Sequence, residues 1–563
     1  MESYSVTTQT WLSWFMKGIL IIGFLFLVGR LIELQVIKGD YFRSLSENNR
    51  IKRVVIPAPR GLILARGGEI LVGNRGYIRN YPLGEAFGHV SGYLGEVGPG
   101  EVGKADPVCF EKGARRLGSL VGRGGLEEQY NCFLSGVDGE EVIEVDTLGR
   151  MVRILGRKDP VSGGDIKTNI DYKLQIKSAQ AMKGKKGAVI ISDPKGEILT
   201  LYSSPSFDPK LFLPGGDKDA ISKILNDKNL PLFDRAIGGL YHPGSVFKPL
   251  VAIAALEDGK IDKNFRYEDP GVLSVKTLYG DFSYSNWYYS QYGKTEGEIG
   301  IVRAIARSTD TFFYKLGEMV GIEKLTEWMG NFGLNGRTGI DLPGEVKNLI
   351  PSPEWKLKEK GEKWFLGNTY HLSIGQGDLV LTPLSLSRIP SVVASGGKLC
   401  TPRIVNEAPA GSRPGYLLPM LRREQNPSEA PLGGAKGDKE SFVNKDCKDL
   451  KIKKETLDLI KEGMVGACSS GGTGYTFFDW KGGPTACKTG TAETNEDGKT
   501  HAWFTLFAPA SPSSPRVEAG QGGPADFPEI ILTVLVEGGG EGSKVAGPIA
   551  REIMDFWNLQ KHP

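Results

Sequence analysis

The sequence predicts an α/β sandwich, preceded by a β-rich region and one transmembrane helix. Helical patterns fill the middle of the larger region, from about 249 to 332, and a closing helix pattern covers 548–557. Strand patterns occur on both sides of that helical middle, at 187–192, 197–202, near 488, 502–507 and 529–537. Strands at both ends of one region, separated by helices, are typical of a single sheet that joins both ends of a domain.

The first predicted element is a membrane-spanning helix between Trp11 and Gly29. Only Ser13 and Lys17 interrupt its apolar sequence, and its length suits one crossing of a bilayer. Trp11 and Trp14 occupy the position of an interfacial aromatic belt. Because no small-residue cleavage site follows, we expect an uncleaved anchor rather than a removed signal peptide. A buried core helix is the alternative, but such helices seldom run this long without polar residues.

Composition then divides the chain into three parts. Residues 1–30 form a short tail and the anchor, 31–168 a β-rich pedestal with apolar runs between Gly and Pro, and 169–563 the second domain. The second domain opens with a helix pattern at Tyr172–Met182 and a hairpin around a Pro-Lys-Gly turn. Stretches rich in Pro, Gly, Ser and charge predict surface insertions near 407–439 and 510–527.

Bulk composition argues against several classes of partner and site. The 69 basic and 66 acidic residues leave a net charge of only +3, so we expect no nucleic-acid partner. Scattered histidines and the lack of Cys-x-x-Cys or His-Glu-x-x-His spacing argue against a metal site, and no cofactor is implied. Among the six cysteines, Cys109 with Cys132 and Cys400 with Cys447 are the candidate disulfide pairs.

The first chemical motif is Ser245-Val-Phe-Lys248, which precedes an apolar helix pattern from Pro249 to Leu256. Residues three apart share a helix face, so Lys248 should lie beside Ser245. The helix should be buried, and burial lowers the pKa of a lysine until it can serve as a general base. A serine N-cap followed by a solvated lysine is the alternative, but the apolar helix makes solvation of Lys248 harder.

Two further motifs add polar groups that could complete one site. Ser308-Thr-Asp310 lies between two helix patterns, where it could cap a helix or relay a proton to a leaving amine. Lys488-Thr489-Gly490-Thr491 offers a charge and hydroxyls for a carboxylate, with a glycine that admits a backbone close to the strand. Residues 482–489 resemble a phosphate-binding loop but do not match it, because Cys487 replaces the glycine before Lys488 and no helix pattern follows.

The motifs together resemble the class B penicillin-binding proteins, membrane-anchored D,D-transpeptidases of cell-wall synthesis. The resemblance covers nearly the whole chain and rests on the three motifs and on segments that include Pro59-Arg-Gly61, Gly124-Gly-Leu-Glu127, Ser203-Ser-Pro-Ser-Phe-Asp208 and His501-Ala-Trp-Phe504. Within the family the chain is similar to the elongation group, since Asp310 stands where division-specific members usually have Asn. The resemblance implies the α+β sandwich of penicillin-binding proteins and serine β-lactamases.

The resemblance also implies a role for each motif residue. Ser245 would attack the bond between the two terminal D-alanines of a stem peptide, and Lys248 would accept its proton. Backbone N–H groups of Ser245 and Thr491 would form the oxyanion hole. Ser308, with Asp310 and Lys488 nearby, would move protons, while Lys488, Thr489, Gly490 and Thr491 would hold the terminal carboxylate. β-Lactam antibiotics would acylate the same serine.

Two positions depart from the family pattern, and three alternative functions stay open. Ala65 replaces an Asp that is usual in the pedestal, and Cys487 stands where a small residue is usual. If water rather than an amine attacked the acyl-enzyme, the protein would be a D,D-carboxypeptidase or a β-lactamase-like protein. A division-specific transpeptidase is the second alternative. A non-enzymatic scaffold for a glycan polymerase is the third, but a decayed site should have lost Ser245, Lys248 or Lys488.

The predicted location follows from the chemistry rather than from the charges beside the anchor. Six basic residues follow the span and none occurs in the first ten residues, so the positive-inside rule favours a cytoplasmic domain. Long domains can translocate regardless of flanking charge, and cell-wall cross-linking occurs outside. We therefore expect a single-pass protein of the inner (plasma) membrane with its catalytic domain on the outer, periplasmic side. A start codon upstream of Met1 would supply the missing basic residues.

Overall fold

The computed structural model describes residues 7–104, 112, 114–146, 148–277, 280–407, 447–494, 498–509 and 528–561. The chain forms two compact units. The first comprises Met1–Pro59 and Gly136–Gly163, and the second comprises Arg60–Ser135 and Gly164–Pro563. Both insertions expected near 407–439 and 510–527 lie almost wholly outside the described residues.

The first unit holds the predicted anchor. Its helix Thr7–Ile32 passes through a π-helical segment, Glu33–Ile37, and is followed by helix Gly39–Arg50. Residues Trp11–Ile37 are long and apolar enough to cross a membrane, and none of their most apolar stretch is buried in the protein. Three antiparallel strands complete the unit, in the order Ile51–Ile56, Gly139–Val145 and Met151–Lys158.

The second unit begins with short strands and helices that surround a buried ion cluster. Glu127 is inaccessible to solvent and accepts hydrogen bonds from Arg79 Nε at 2.6 Å and from Arg60 Nη2 at 2.7 Å. Within the same unit, the Tyr130 hydroxyl donates to Asp341 at 3.0 Å. Because Asp341 also accepts the N–H groups of Ile404 and Val405, buried hydrogen bonds tie these distant segments together.

A five-stranded antiparallel sheet forms the centre of the second unit. Its strands are β1 (Gly187–Ser192), β2 (Ile198–Ser204), β3 (Ala486–Glu493), β4 (Thr500–Ala508) and β5 (Ile530–Val536). Their order is β2-β1-β5-β4-β3, so the sheet joins the two ends of the predicted domain and leaves β3 at an edge. The predicted α/β sandwich is confirmed.

Helices cover both faces of this sheet. The helices that frame the site are α1 (Tyr172–Ala181), α2 (Lys248–Glu257), α3 (Ile301–Arg307), α4 (Asp310–Val320), α5 (Lys454–Cys468) and α6 (Gly542–Lys561). Apolar residues of α2, α3, α4 and most of α5 form one core with the first face of β3. Apolar residues of α1, α6 and the end of α5 form another core with the opposite face. Side chains of successive β3 residues therefore point alternately towards these two cores.

The remaining elements surround these layers. Further helices of the second unit are Gly88–Ser91, Gly125–Gln129, Asn131–Leu134, Lys218–Leu225, Arg235–Gly238, Trp287–Tyr292, Ile322–Asn331, Pro353–Lys360, Leu366–Ser373, Pro383–Leu386 and Arg388–Ala394. Its 3₁₀ turns are Gly84–Phe87, Pro209–Phe212, Gly244–Phe247 and Tyr475–Phe477. Its other strands are Ile63–Leu64, Ile70–Arg75, Ile78–Asn80, Tyr93–Glu96, Leu120–Arg123, Ile166–Thr168, Tyr267–Glu268, Val272–Thr277, Gly280–Ser285, Glu298–Ile299, Lys398–Cys400, Val405–Glu407 and Cys447–Asp449.

Two elements differ from the sequence prediction. The expected helical middle contains a hairpin, Val272–Thr277 paired with Gly280–Ser285, because its Val, Thr and aromatic residues favour strands. The closing helix spans Gly542–Lys561, so it begins six residues before the predicted start and contains Pro548.

The disulfides were only partly predictable. The expected Cys400–Cys447 bridge is present, and it joins strands Lys398–Cys400 and Cys447–Asp449. A second bridge, between Cys468 and Cys487, was not expected from the sequence. The proposed partner of Cys132, Cys109, lies outside the described residues.

Candidate active site

Ser245 lies in a 3₁₀ turn, Gly244–Phe247, that leads directly into α2. The side chain is partly exposed, whereas its neighbours in the turn are buried. Gly244 has a φ of +57° and donates its N–H to the Gly375 carbonyl at 2.8 Å. Gly375 has a φ of +75°, and a Cβ there would lie 2.3 Å from Gly244 O. Glycine is therefore required at both positions to hold the Ser245 turn in place.

Lys248 is wholly buried at the start of α2, as the apolar helix pattern predicted. Its Nζ donates to Asp310 Oδ1 at 2.6 Å, to Ser308 O at 2.8 Å and to Ser308 Oγ at 3.1 Å. Burial lowers the pKa of the Lys248 ammonium, and the opposing effect of the Asp310 charge is smaller. The hydrogen bonds of the Lys248 ammonium go to Asp310 and Ser308, and among the described residues none joins it to Ser245.

Ser308 connects the two buried lysines. It follows α3 with a left-handed φ of +57°, and α4 begins two residues later at Asp310. Its hydroxyl lies 3.1 Å from Lys248 Nζ and 2.8 Å from Lys488 Nζ. A hydroxyl can accept one proton while it donates another, so this position suits a proton relay between two amines.

Asp310 is held by residues that the sequence analysis did not single out. Its Oδ2 accepts the backbone N–H of Trp287 at 3.1 Å, and its own N–H donates to Asn286 Oδ1 at 3.3 Å. Asn286 is fully buried and donates in turn to Asp269 at 2.9 Å. No local pattern links the Asn286-Trp287 pair to Asp310, because these residues are more than 20 positions apart along the chain.

The third motif lies on the edge strand β3. Lys488 is fully buried, and its Nζ donates to Ser308 Oγ and, at 3.1 Å, to Thr489 O. Burial, followed by the nearby charge of Lys248, holds the pKa of the Lys488 ammonium well below its usual value. Two amines with lowered pKa values, joined by one hydroxyl, can hold a proton at either end.

The rest of the Lys-Thr-Gly motif brings the strand against the serine turn. A Cβ on Gly490 would lie 3.1 Å from Val246 Cγ1 and 3.2 Å from Pro243 O, so glycine permits this close approach. Thr489 is buried, whereas Thr491 is exposed and its hydroxyl accepts the N–H of Gly542 at 3.3 Å. The structure thus brings all three predicted motifs together.

Asp310→Asn should change the pH dependence of this site. The Asp310 carboxylate raises the pKa of Lys248, so its neutral replacement should let Lys248 lose its proton at lower pH. If neutral Lys248 is the base, the pH profile of acylation by a fluorescent penicillin changes: the rise in rate on its acid side shifts to lower pH. The acylation rate is measured between about pH 5 and pH 9, because buried lysines with lowered pKa values titrate in this range. A shift to higher pH would contradict this assignment of the base.

Known proteins resemble this chain over most of its length. A family model of the penicillin-binding protein transpeptidase domain matches residues 187–517, and one of the penicillin-binding protein dimerisation domain matches 75–168. The peptidoglycan D,D-transpeptidase MrdA of Acinetobacter baumannii is 33% identical over 86% of this chain and 66% of its own length. MrdA of Escherichia coli is 31% identical over 85% of this chain and 71% of its own. The chain thus spans about two thirds of the length of these relatives.

Solved structures give the same result. PBP2 of Pseudomonas aeruginosa, in complex with WCK 5153, is 30% identical, with a TM-score of 0.69 and coverage of 90% of this chain and 96% of that one. The complex of PBP2 and MreC from Helicobacter pylori is 24% identical at a TM-score of 0.70, a likeness that concerns the fold. Since the transpeptidase model alone covers more than half of the sequence, the chain belongs to the class B penicillin-binding proteins.

Proposed function

We propose that this chain is a peptidoglycan D,D-transpeptidase of cell-wall elongation that works through a serine acyl-enzyme and is sensitive to penicillin. The observation that carries the proposal is the position of the Ser308 hydroxyl, 3.1 Å from Lys248 Nζ and 2.8 Å from Lys488 Nζ. Both amines are buried with lowered pKa values, which is what a site that exchanges protons near neutral pH requires.

Acylation begins when Ser245 attacks the carbonyl between the two terminal D-alanines. Lys248, in its neutral form, accepts the Ser245 proton as the C–O bond forms. The backbone N–H groups of Ser245 and Thr491 stabilise the oxyanion, since the serine turn packs along β3 with Gly244 close to Thr491 O. The C–N bond then breaks, and the leaving amine takes a proton that Ser308 relays from the lysines.

The edge of β3 binds the terminal carboxylate of the stem peptide. Lys488 supplies positive charge, and Thr489 and Thr491 supply hydroxyls. Gly490 keeps this strand within contact distance of the serine turn, so the carboxylate lies close to the reacting bond. The same groups receive the carboxylate of a β-lactam antibiotic, which acylates Ser245 and blocks the site.

Deacylation by an amine completes the cross-link. An amine of a neighbouring stem peptide attacks the acyl carbonyl, forms a C–N bond and loses a proton to Lys248. The ester C–O bond then breaks, and Ser245 Oγ takes that proton back from Lys248. Asp310 favours the elongation group over division-specific members, and the MrdA names of the relatives support the same choice.

The proposed location is the inner membrane, with the catalytic unit on its periplasmic side. The chain is membrane-anchored through the apolar helix at Trp11–Ile37. One structural neighbour comes from a study of polymerization and crosslinking by a peptidoglycan synthase complex, and another is bound to MreC. By analogy, we propose that this chain also works beside a membrane glycan polymerase.

Product analysis tests this function. The full-length protein in detergent micelles is incubated with a donor ending in D-Ala-D-Ala and an excess of an acceptor peptide that carries a free side-chain amine. We expect release of D-alanine together with a cross-linked dimer, and neither product from Ser245→Ala. Release of D-alanine with hydrolysed donor alone would identify a carboxypeptidase, and no turnover of any donor would favour the scaffold.

A further inference from the structure

The Cys468–Cys487 disulfide lies directly behind the catalytic strand. Cys487 is the residue before Lys488 on β3, so the two side chains point to opposite faces of the sheet. Cys487 is fully buried in the core that β3 shares with α1 and α6, and Cys468 ends α5 with 4% of its surface exposed. The bridge therefore joins the end of α5 to the backbone that carries Lys488.

Helix α5 is in turn packed closely against the segment that carries Ser308. A Cβ on Gly463 would lie 2.8 Å from Ile305 Cβ, and one on Gly466 would lie 3.1 Å from Ala306 Cβ. Glycine at these positions lets α5 approach α3 at the turn that precedes Ser308. The disulfide thus has one end on the Lys488 strand and the other on a helix packed under Ser308.

The loop after Cys468 reinforces this connection. The N–H of Thr473 donates to Ala306 O at 3.2 Å, and Arg307 Nη1 donates to Gly471 O at 2.7 Å. The N–H of Gly474 returns to Ala467 O at 2.7 Å, next to the disulfide. A Cβ on Gly474 would lie 2.5 Å from Cys487 Sγ, so the loop lies directly on the bridge.

We propose that the Cys468–Cys487 disulfide is a positioning cross-link that holds Lys488 within hydrogen-bond distance of Ser308. The inference rests on the proposed function, because it gives the Lys488–Ser308 hydrogen bond a role in acylation. Neither cysteine touches the reacting atoms. Through α5, their bridge fixes the distance between the Ser308 and Lys488 segments, which lie 180 residues apart along the chain. Because β3 lies at the edge of the described sheet, loss of the bridge removes its covalent link to α5 and leaves its position to β4 and side-chain packing.

The test compares two disulfides in the full-length protein. Cys468→Ala/Cys487→Ala should lower the rate constant for acylation by a fluorescent penicillin about 10- to 100-fold, the scale of a displacement near 1 Å. Cys400→Ala/Cys447→Ala is the matched control and should acylate at the unmodified rate. Because the control bridge spans 47 residues rather than 19, its loss should cost at least as much thermal stability.

A double-mutant cycle separates positioning from general stability. If the bridge acts through the Lys488–Ser308 hydrogen bond, its removal should have little further effect on acylation in a Ser308→Ala background. Equal fold-losses in both backgrounds would overturn the inference, as would unchanged acylation in the Cys468→Ala/Cys487→Ala variant. If the unmodified protein itself takes no label, the proposed function fails and not merely the role of the disulfide.

Gly474→Ala provides a variant that keeps the disulfide. Its new Cβ would press on Cys487 Sγ and lie 3.1 Å from Ala467 O, so β3 or the loop must shift. We expect slower acylation with the bridge intact by mass spectrometry. Gly336→Ala is its control, since a Cβ there would meet nothing within 4 Å. Normal acylation of Gly474→Ala, with an unchanged melting temperature, would contradict the proposed link between bridge and strand.

Discussion

Ser245→Ala is expected to abolish covalent labelling of the full-length protein by a fluorescent penicillin. Loss of a serine nucleophile costs roughly a millionfold in rate, which places any residual labelling below detection. The structure supports this expectation, because Ser245 is partly exposed in a turn that Gly244 and Gly375 hold against β3. The measurement is the fluorescence of the protein band after denaturation, which preserves only covalent adducts.

A matched serine variant makes this result interpretable. Ser290 is exposed on helix Trp287–Tyr292, and its hydroxyl bonds to Ser285 at 2.9 Å. Ser290→Ala should label at the unmodified rate, and both variants should melt at the unmodified temperature. Labelling of Ser245→Ala at the rate of Ser290→Ala would rule out Ser245 as the nucleophile.

Lys248→Met should lower the acylation rate about 10²- to 10⁴-fold, the usual contribution of a general base. Methionine fills a similar volume, so the apolar core around the start of α2 is kept. The change leaves Asp310 with its Trp287 contact but without its cation partner, which should also lower thermal stability. Acylation rate and melting temperature are therefore measured together.

The variant Lys248→Met/Asp310→Asn distinguishes catalysis from stability. With both charges of the pair removed, the melting temperature should return towards the unmodified value, while acylation stays slow. Lys263→Met controls for the loss of a positive charge, because Lys263 forms an exposed ion pair with Glu455. Recovery of acylation in the double variant would show that Lys248 acts only by pairing with Asp310.

The layers of the fold could be predicted because each strand and helix carries its own pattern. The run from Pro249 to Leu256 has no polar face, so the burial of Lys248 followed from sequence, and so did its lowered pKa. The hairpin at Val272–Ser285 was missed because short strands between helices give little periodic signal.

The contacts between motifs could not be predicted in the same way. Lys248 and Asp310 are 62 residues apart, and Lys488 and Ser308 are 180 apart, so their hydrogen bonds depend on how α2, α4 and β3 pack. The same limit applied to the Cys468–Cys487 bridge. Its two cysteines lie on α5 and β3, and no sequence pattern showed that this helix would pack behind this strand.

The Asp310 contact has a consequence for the resting enzyme. Lys248 Nζ lies 2.6 Å from Asp310 Oδ1, and the described residues include no hydrogen bond from Lys248 to Ser245. The carboxylate stabilises the charged amine, while burial favours the neutral one, and burial has the larger effect on the Lys248 pKa. Lys248 can accept the Ser245 proton only in its neutral form, which burial favours, and the Ser308 hydroxyl links its amine to that of Lys488.

Peptide mapping of the acyl-enzyme tests the central claim most directly. The full-length protein is incubated with benzylpenicillin, denatured, digested and sequenced by mass spectrometry. We expect one adduct, on Ser245 in the segment that also contains Lys248, and its absence after pretreatment with a different β-lactam. An adduct on any other residue, or none in a folded protein, would contradict the assignment of Ser245 and its neighbouring motifs as the site of acyl transfer.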